Sequence, residues 1–401
     1  ESERPARDVR ATATPAVAVA AVSAAPVPTA AAAGPAPAPG RPAMAASGGV
    51  AMLASASRAQ AVVAGTVTHP TQLDVSGWRA DLQIDTVLSG SLLLGDTVTL
   101  AWEELSASRA VRFPDGTRIL VVLDALPTQS LWRKRFPARE QPRPVLVVAA
   151  NGEAFLVRPD GPTLYALQHY LALAQSARAE GPGSRWLAEI VRAAHPAVAR
   201  EALTMLDAEP ARLDAMSEEG AEALLAAARD QGREPALRNG ALRLAARHRL
   251  PDTRETALAL VAPGSPLRVE AYRALAMLPD GLTPEEADAL LGDADPALRG
   301  VGIEIAGRRL PRERVLPLLR DDAPAVRLAA ARVLLGRDDA RVADVVGLLD
   351  DDEASVRTGV AEAIAARGAD VIVPLRVVVD TGSERAALAA VLAISRTGKP
   401  G

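Results

Sequence analysis

Residues 283–368 repeat themselves, and this constrains the fold more than any other feature of the chain. They contain DALLGDADPALRGVGIEIAG, then LPLLRDDAPAVRLAAARVLLG, then GLLDDDEASVRTGVAEAIAARG. Each copy ends an apolar helix, passes through an acidic turn, and opens a second apolar helix on a Leu-Arg or Val-Arg pair. Registered on Arg238, Arg268, Arg299, Arg327, Arg357 and Arg385, the copies recur every 28–31 residues, with a looser copy around Arg200. Self-similarity at that period predicts stacked helix pairs, about seven of them over residues 185–401.

The spacing inside the second helices supports this register. Val326, Ala329, Ala330, Val333 and Leu334 fall at i, i+3, i+4, i+7 and i+8, as do Val356, Gly359, Val360, Ala363 and Ile364. Such a stripe is wide enough to face a core, and a lone pair could not bury it. These copies resemble HEAT repeats of the short, phycobilisome-lyase type. The resemblance implies an α-solenoid in which turn aspartates and the following arginines form a ladder. Carried onto this chain, the candidates are Asp293 or Asp295 with Arg299, Asp322 with Arg327, and Asp352 with Arg357. The turns before Arg268 and Arg385 lack the pattern.

The other half is built differently. Nine of the ten aromatic residues lie between Trp78 and Trp186, and residues 1–185 carry a net charge of +2 against -6 for the remainder. From residue 57 to 162, apolar residues alternate, as in Ala80, Leu82 and Ile84 or Val98, Leu100 and Trp102, which predicts half-buried strands. Asn151-Gly152 between two apolar runs predicts a hairpin. About six short antiparallel strands suit a small closed barrel. The run GTVTH…LQIDTVLSG…LGDTVTLAW…FPDGTRILVVLD resembles OB-like or netrin-like barrels of exported bacterial proteins, which implies a fold and no ligand. Residues 163–184 read as a bridging helix, Thr163 to Ala179, closed by a Gly181-Pro182-Gly183 linker.

Residues 11–50 hold 17 Ala and seven Pro with Arg41 the only charge, so 1–56 is expected to be a disordered tether. Opening on Glu1, the chain reads as a processed product or a fragment. Tethers of this kind favour a periplasmic or extracellular location, with the cytoplasm as the alternative. No apolar run reaches the roughly 18 residues of a membrane span.

Chemistry is sparse in the sequence. There is no cysteine, the four histidines are scattered, and no nucleotide-loop or nucleophile-elbow motif occurs. Asp350-Asp351-Asp352-Glu353 lacks the ligand spacing of a calcium loop and reads as a helix-capping turn. No catalytic residue, metal or cofactor is therefore expected. The most distinctive polar stretch is Trp132, Arg133, Lys134, Arg135, Phe136 and Arg139, where cations beside aromatics could engage a partner. The competing reading folds Trp132 and Phe136 back to plug the barrel mouth or to dock on the solenoid. The expectation is a non-enzymatic scaffold that binds a protein partner. A nucleic-acid-binding HEAT-type protein is the alternative, and a chromophore-lyase-like enzyme the second. A basic stripe along one helix face would favour nucleic acid.

Overall fold

The structure is a computed structural model that describes residues 52–103, 113–127, 131–137 and 143–397, without the side chains of Arg133 and Ala369. The expected tether falls outside these residues except at its end. Residues Met52–Ala56 are not tether but a short helix with Met52 and Leu53 almost wholly buried. They follow the Ala/Pro-rich run and bring apolar side chains large enough to anchor the chain.

Six strands follow: β1 (Ala61–Gln72), β2 (Gly77–Gly90), β3 (Thr97–Glu103), β4 (Arg118–Ala125), β5 (Val145–Val148) and β6 (Phe155–Val157). Five close into a barrel in the order β1-β2-β3-β5-β4, sealed where Ala61–Thr66 pairs with Arg118–Leu123. All neighbours are antiparallel except β3 and β5, which run parallel from Thr99 beside Val145 to Ala101 beside Val147. The expectation of purely antiparallel strands is corrected here for a geometric reason: an odd ring cannot alternate direction all the way round. The Asn151-Gly152 hairpin is corrected as well, because β5 and β6 both pair with β4 and not with each other. The positive φ demanded there is present at Asn151 (55°) and Gly152 (87°) and begins at Ala150 (52°). This left-handed turn steps the chain along the β4 edge. Where β1 bulges against β2, glycine is required at position 65, since a Cβ would lie 2.3 Å from the Gln83 carbonyl oxygen.

Alternation sorts the barrel residues between two cores. Val63, Leu82, Ile84, Val98, Leu100, Trp102, Ile119 and Val121 fill the interior with Phe113 and Phe155. Val62, Ala64, Leu120, Val122 and Leu156 point outward and join the core of the helical region. Strands β1 and β4 are thus buried on both faces, which is why AVVA and ILVVL are continuously apolar.

Pro162 lies in the first turn of a helix, and Gly181-Pro182, expected to close one, starts another. The helices are Gly161–Ala172, Gln175–Ala179 and Gly181–Ala193, and proline is tolerated in a first turn whose N–H groups lack intrahelical acceptors. Residues 181–184 are therefore not a linker, since Gly183 and Ser184 are buried and one apolar core runs from the barrel wall to Leu275. Seven helix pairs follow among the described residues, from Gly181–Ala193 with Pro196–Ala208 to Ile372–Thr381 with Glu384–Arg396. A separate core cluster begins at Ala287 and runs to Ala393.

Successive layers are joined by arginine. Arg299 donates through Nη1 to the carbonyls of Asp293 and Ala294 (2.9 and 3.2 Å), and through Nε and Nη2 to the carboxylate of Asp321 (2.9 and 2.7 Å). Arg327 does the same with the carbonyls of Asp321 and Asp322 (2.8 and 3.1 Å) and the carboxylate of Asp351 (2.7 Å twice). Arg268 reaches Asp293 at 3.2 Å. Each of these aspartates also accepts the N–H two residues on, from Asp295, Ala323 and Glu353.

The expected pairings within one turn are thereby corrected. An arginine uses only carbonyls of its own turn, and its carboxylate is the first acidic residue of the next turn. Asp295 instead caps its helix, accepting from the Ala297 N–H at 2.9 Å, and Asp322 supplies a carbonyl. Asp352 takes Arg385 at 3.1 Å. Arg357 keeps the carbonyl bonds to Asp351 and Asp352 (2.6 and 2.9 Å) but forms no ion pair among the described residues. Thirty residues after Asp351 stands Thr381, so the ladder stops there. Arg385 is likewise out of register: the N-caps Glu353 and Ser383 are 30 residues apart, which places Ala387 opposite Arg357.

Candidate interaction surfaces

The basic and aromatic stretch folds onto the barrel. Residues Leu131–Arg135 form a helix that places Trp132 and Phe136, each 6% exposed, against Ala101 and beside Leu73, Val145 and Val147. Ala101 faces away from the barrel interior, so the two rings cover the outer wall of β3 and β5. Arg135 lies over the Trp132 ring, 4.6 Å from its centroid, and bonds Asp74 (2.6 and 2.8 Å) and Glu103 (2.7 Å). Asp74 is held below its ordinary carboxylate value first by the Ser76 and Gly77 N–H groups and then by Arg135. As a partner-binding site this segment is corrected at Trp132, Arg135 and Phe136, whose surfaces are spent internally. Lys134 is exposed, while Arg139 and the Arg133 side chain lie outside the described residues.

The same segment walls a pocket of about 240 Å³ with Glu103, Asp124, Pro127 and the left-handed turn at Ala150, Asn151 and Gly152. Burial pushes the Asp124 carboxyl above its ordinary value. A half-buried carboxylate beside an indole can accept a small ammonium or guanidinium group.

A second aromatic group lies where the helices begin. Tyr165 and His169, one turn apart on Gly161–Ala172, meet Trp186 of the next long helix. The His169 ring stacks on Trp186 with centroids 4.4 Å apart and lies 4.2 Å from Tyr165. Its Nδ1 is 2.9 Å from the Tyr165 carbonyl oxygen, and Arg185 lies over the indole at 5.6 Å. Tyr165 is 56% exposed. The backs of both helices are locked in the core through Ala166, Leu167, Leu187 and Ile190, so the rings stand on a rigid base. Sequence reasoning missed this group because the rings come from two helices. Its one signal was the Tyr165/His169 i, i+4 pair lying off the Leu164, Leu167 and Leu171 stripe.

The remaining histidines do not converge. His195 caps Pro196–Ala208, its pKa lowered mainly by burial, while His248 meets Asp214 at 3.0 Å and His69 lies 3.7 Å from Asp81. Asp350, Asp351 and Asp352 are engaged by Ser383, Arg327 and Arg385, and no metal-holding group of three occurs among the described residues. Arginines along the second helices meet acids: Arg243 and Arg247 share Asp207 (3.2 and 2.7 Å), Arg273 meets Glu304 (3.2 Å), and Arg396 meets Glu362. Compared with known proteins, the sequence matches no family model and no curated protein.

Proposed function

We propose that the chain is a non-enzymatic scaffold that holds a protein partner against the start of its helical array. The ring group of Tyr165, His169 and Trp186 carries this reading. Large rings fixed on packed helices, here exposed at Tyr165 and half-buried at His169 and Trp186, lose little conformational freedom on binding, and such rings supply much of the affinity in protein interfaces. The helix pairs, with arginine linking each acidic turn to the next, are read as HEAT-like repeats. The strand order of the barrel, with β3 and β5 parallel, supports an OB-like reading. In this scheme the ladders keep the array stiff and the barrel braces its first layers. The pairing of Arg243, Arg247, Arg273 and Arg396 with acids favours a protein partner over a nucleic acid. We place the protein in the periplasm or outside the cell, on the Ala/Pro-rich character of residues 11–50.

The test is affinity capture from cells of the source, comparing the native chain with Tyr165→Ala/Trp186→Ala. A partner held by the first and lost by the second, with both proteins folded at the assay temperature, is the expected result. A partner held equally by both moves the binding surface away from the rings. A partner lost only after nuclease treatment overturns the protein assignment.

A further inference from the structure

The pocket of about 240 Å³ at the ends of β3, β4 and β5 lies outside the ring group and contains an unpaired charge. Its walls are apolar at Ala125, Val147 and Ala149, and its polar side chains are Glu103, Asp124 and Asn151. Asp124 follows the apolar run Ile119–Leu123 and stands in register with Val147 of β5. Val122, two residues earlier on the same face, is fully buried, so the strand carries a carboxylate on a face that is otherwise packed. Asp124 is half-buried, and among the described residues it accepts no side-chain hydrogen bond and meets no ion-pair partner. Glu103 differs, since it takes Nη1 of Arg135 while Asp74 takes Nε and Nη2. Two carboxylates thus share one guanidinium, and Lys134, exposed on the same short helix, forms no ion pair among the described residues.

We propose that this pocket binds a guanidinium group, with Asp124 as its counter-charge. A part-desolvated carboxylate without a partner is unfavourable, and an entering cation offsets that penalty. Burial pushes the Asp124 carboxyl above its ordinary value with no basic group acting against it, as a vacant cation site requires. Among organic cations guanidinium suits these walls. Its planar edge matches both oxygens of a carboxylate, and it is more weakly hydrated than an ammonium, so it loses less on moving against apolar groups. A metal ion is served less well, because no group of three acids or histidines is placed to hold one among the described residues. The volume is below the roughly 300 Å³ at which pockets for whole drug-sized ligands begin. The occupant is therefore one charged head, carried by a small alkylguanidine or by an arginine side chain.

The walls are fixed before any ligand arrives. A Cβ at Gly152 would lie 3.0 Å from the Glu103 carbonyl oxygen, so glycine lets the left-handed turn close against the end of β3. Ala149 and Ala154, on either side of that turn, are buried in the core shared with the helices. Trp132, 6% exposed, is a packed wall of the pocket and not a free ring. A preformed site loses little order on binding, but one charge pair with a few apolar contacts supports only a dissociation constant on the order of 1 mM.

The test is an NMR titration of the full chain with n-butylguanidinium chloride at constant ionic strength. The Trp132 indole N–H and the Asn151 and Gly152 amides should shift saturably, while the indoles of Trp78 and Trp186 stay in place. Asp124→Asn keeps the shape and removes the charge, so it should weaken binding at least about tenfold. Its melting temperature should not fall, since the carboxylate it replaces is unpaired. n-Butylammonium should bind more weakly than n-butylguanidinium. The absence of a saturable shift overturns the proposal, as does binding that survives Asp124→Asn or n-butylammonium binding as tightly. Calcium chloride that moves these signals where n-butylguanidinium does not also overturns it, in favour of a metal site. The peptide acetyl-Gly-Arg-Gly-amide then separates the two sources. Binding at least as tight as that of n-butylguanidinium supports an arginine side chain as the occupant, and weaker binding supports a free alkylguanidine.

Discussion

Arg327 donates both Nε and Nη2 to the two carboxylate oxygens of Asp351, at 2.7 Å each, across 24 residues of chain. The same guanidinium holds the carbonyls of its own turn through Nη1, so one side chain fixes a turn and bolts it to the next layer. Both partners are mostly shielded, the side chains being 14% and 6% exposed. A fork-to-fork pair in that setting is worth more than a surface ion pair, because the geometry is fixed and both carboxylate oxygens are satisfied.

Removing either partner should therefore cost about 2 kcal/mol, because the survivor keeps a partly desolvated charge without the forked partner that satisfied it. Arg327→Ala, Asp351→Ala and the double variant form a cycle that urea unfolding can measure. The two losses should be strongly non-additive, with a coupling of about 1 kcal/mol or more. Additive losses would show the pair to be incidental.

The ladder predicts an acid limb in stability. Asp321 and Asp351 lie below their ordinary carboxylate value of 3.8, each chiefly through the hydrogen bond from its arginine. A depressed carboxylate stabilises the fold fully above its unfolded value, and that stability is lost as pH falls through the lower folded value. The ladder's contribution to the unfolding free energy should thus be constant from pH 7 to about pH 5 and drop steeply below about pH 4. In Arg299→Ala/Arg327→Ala the drop should be shallower. An unchanged slope would assign the acid limb to other carboxylates.

By register, Thr381 stands where the next aspartate of the ladder would be, 30 residues after Asp351. Thr381→Asp should add a rung and stabilise the chain by about 0.5–1 kcal/mol. The gain should vanish in an Arg357→Ala background, where only the exposed helix-end substitution remains. Thermal unfolding of the four proteins decides this, and a gain that persists without Arg357 would refute the added rung.

The stacked helices could be read from the sequence because one repeat is written many times, and a period of 28–31 residues survives error at any single position. The partners within the ladder could not. DADP, DDAP and DDEA each offer more than one acid near the arginine, and only the stacking distance selects Asp321 for Arg299. The register failed at Arg385 for a related reason: it follows a Thr-Gly-Ser-Glu turn that shares no residue pattern with the acidic turns, so its arginine was matched on identity alone. At residues 131–136 composition pointed outward while packing ran inward. Cations and rings look alike whether they await a partner or, like Arg135 over Trp132, already have one within the chain. The ring group of Tyr165, His169 and Trp186 was hidden by its discontinuity.

Trp132 is therefore expected to act as a packing residue. Trp132→Ala should lower unfolding free energy by about 3–5 kcal/mol through lost contact with the β3 and β5 wall. Lys134→Ala, at an exposed position of the same short helix, should be within about 0.5 kcal/mol of the native chain. A Trp132 variant of native stability would return this segment to the list of candidate binding surfaces.

Glu201 makes the longest-range bond to the N-terminal helix. Its two carboxylate oxygens accept the N–H groups of Leu53 and Ala54 at 3.0 Å each, across nearly 150 residues, at the end of a helix that has no acceptor of its own for them. Burial raises its pKa while those N–H groups oppose the rise. Glu201→Ala leaves two donors unsatisfied and should cost about 1–2 kcal/mol. Glu201→Gln keeps one acceptor oxygen and should fall between. Hydrogen exchange resolves the effect locally: the amides of Leu53 and Ala54 should exchange faster in the order native, Glu201→Gln, Glu201→Ala, while those of the barrel strands keep their rates. Equal exchange at Leu53 and Ala54 in all three would mean that burial of Met52 and Leu53 alone holds the helix in place.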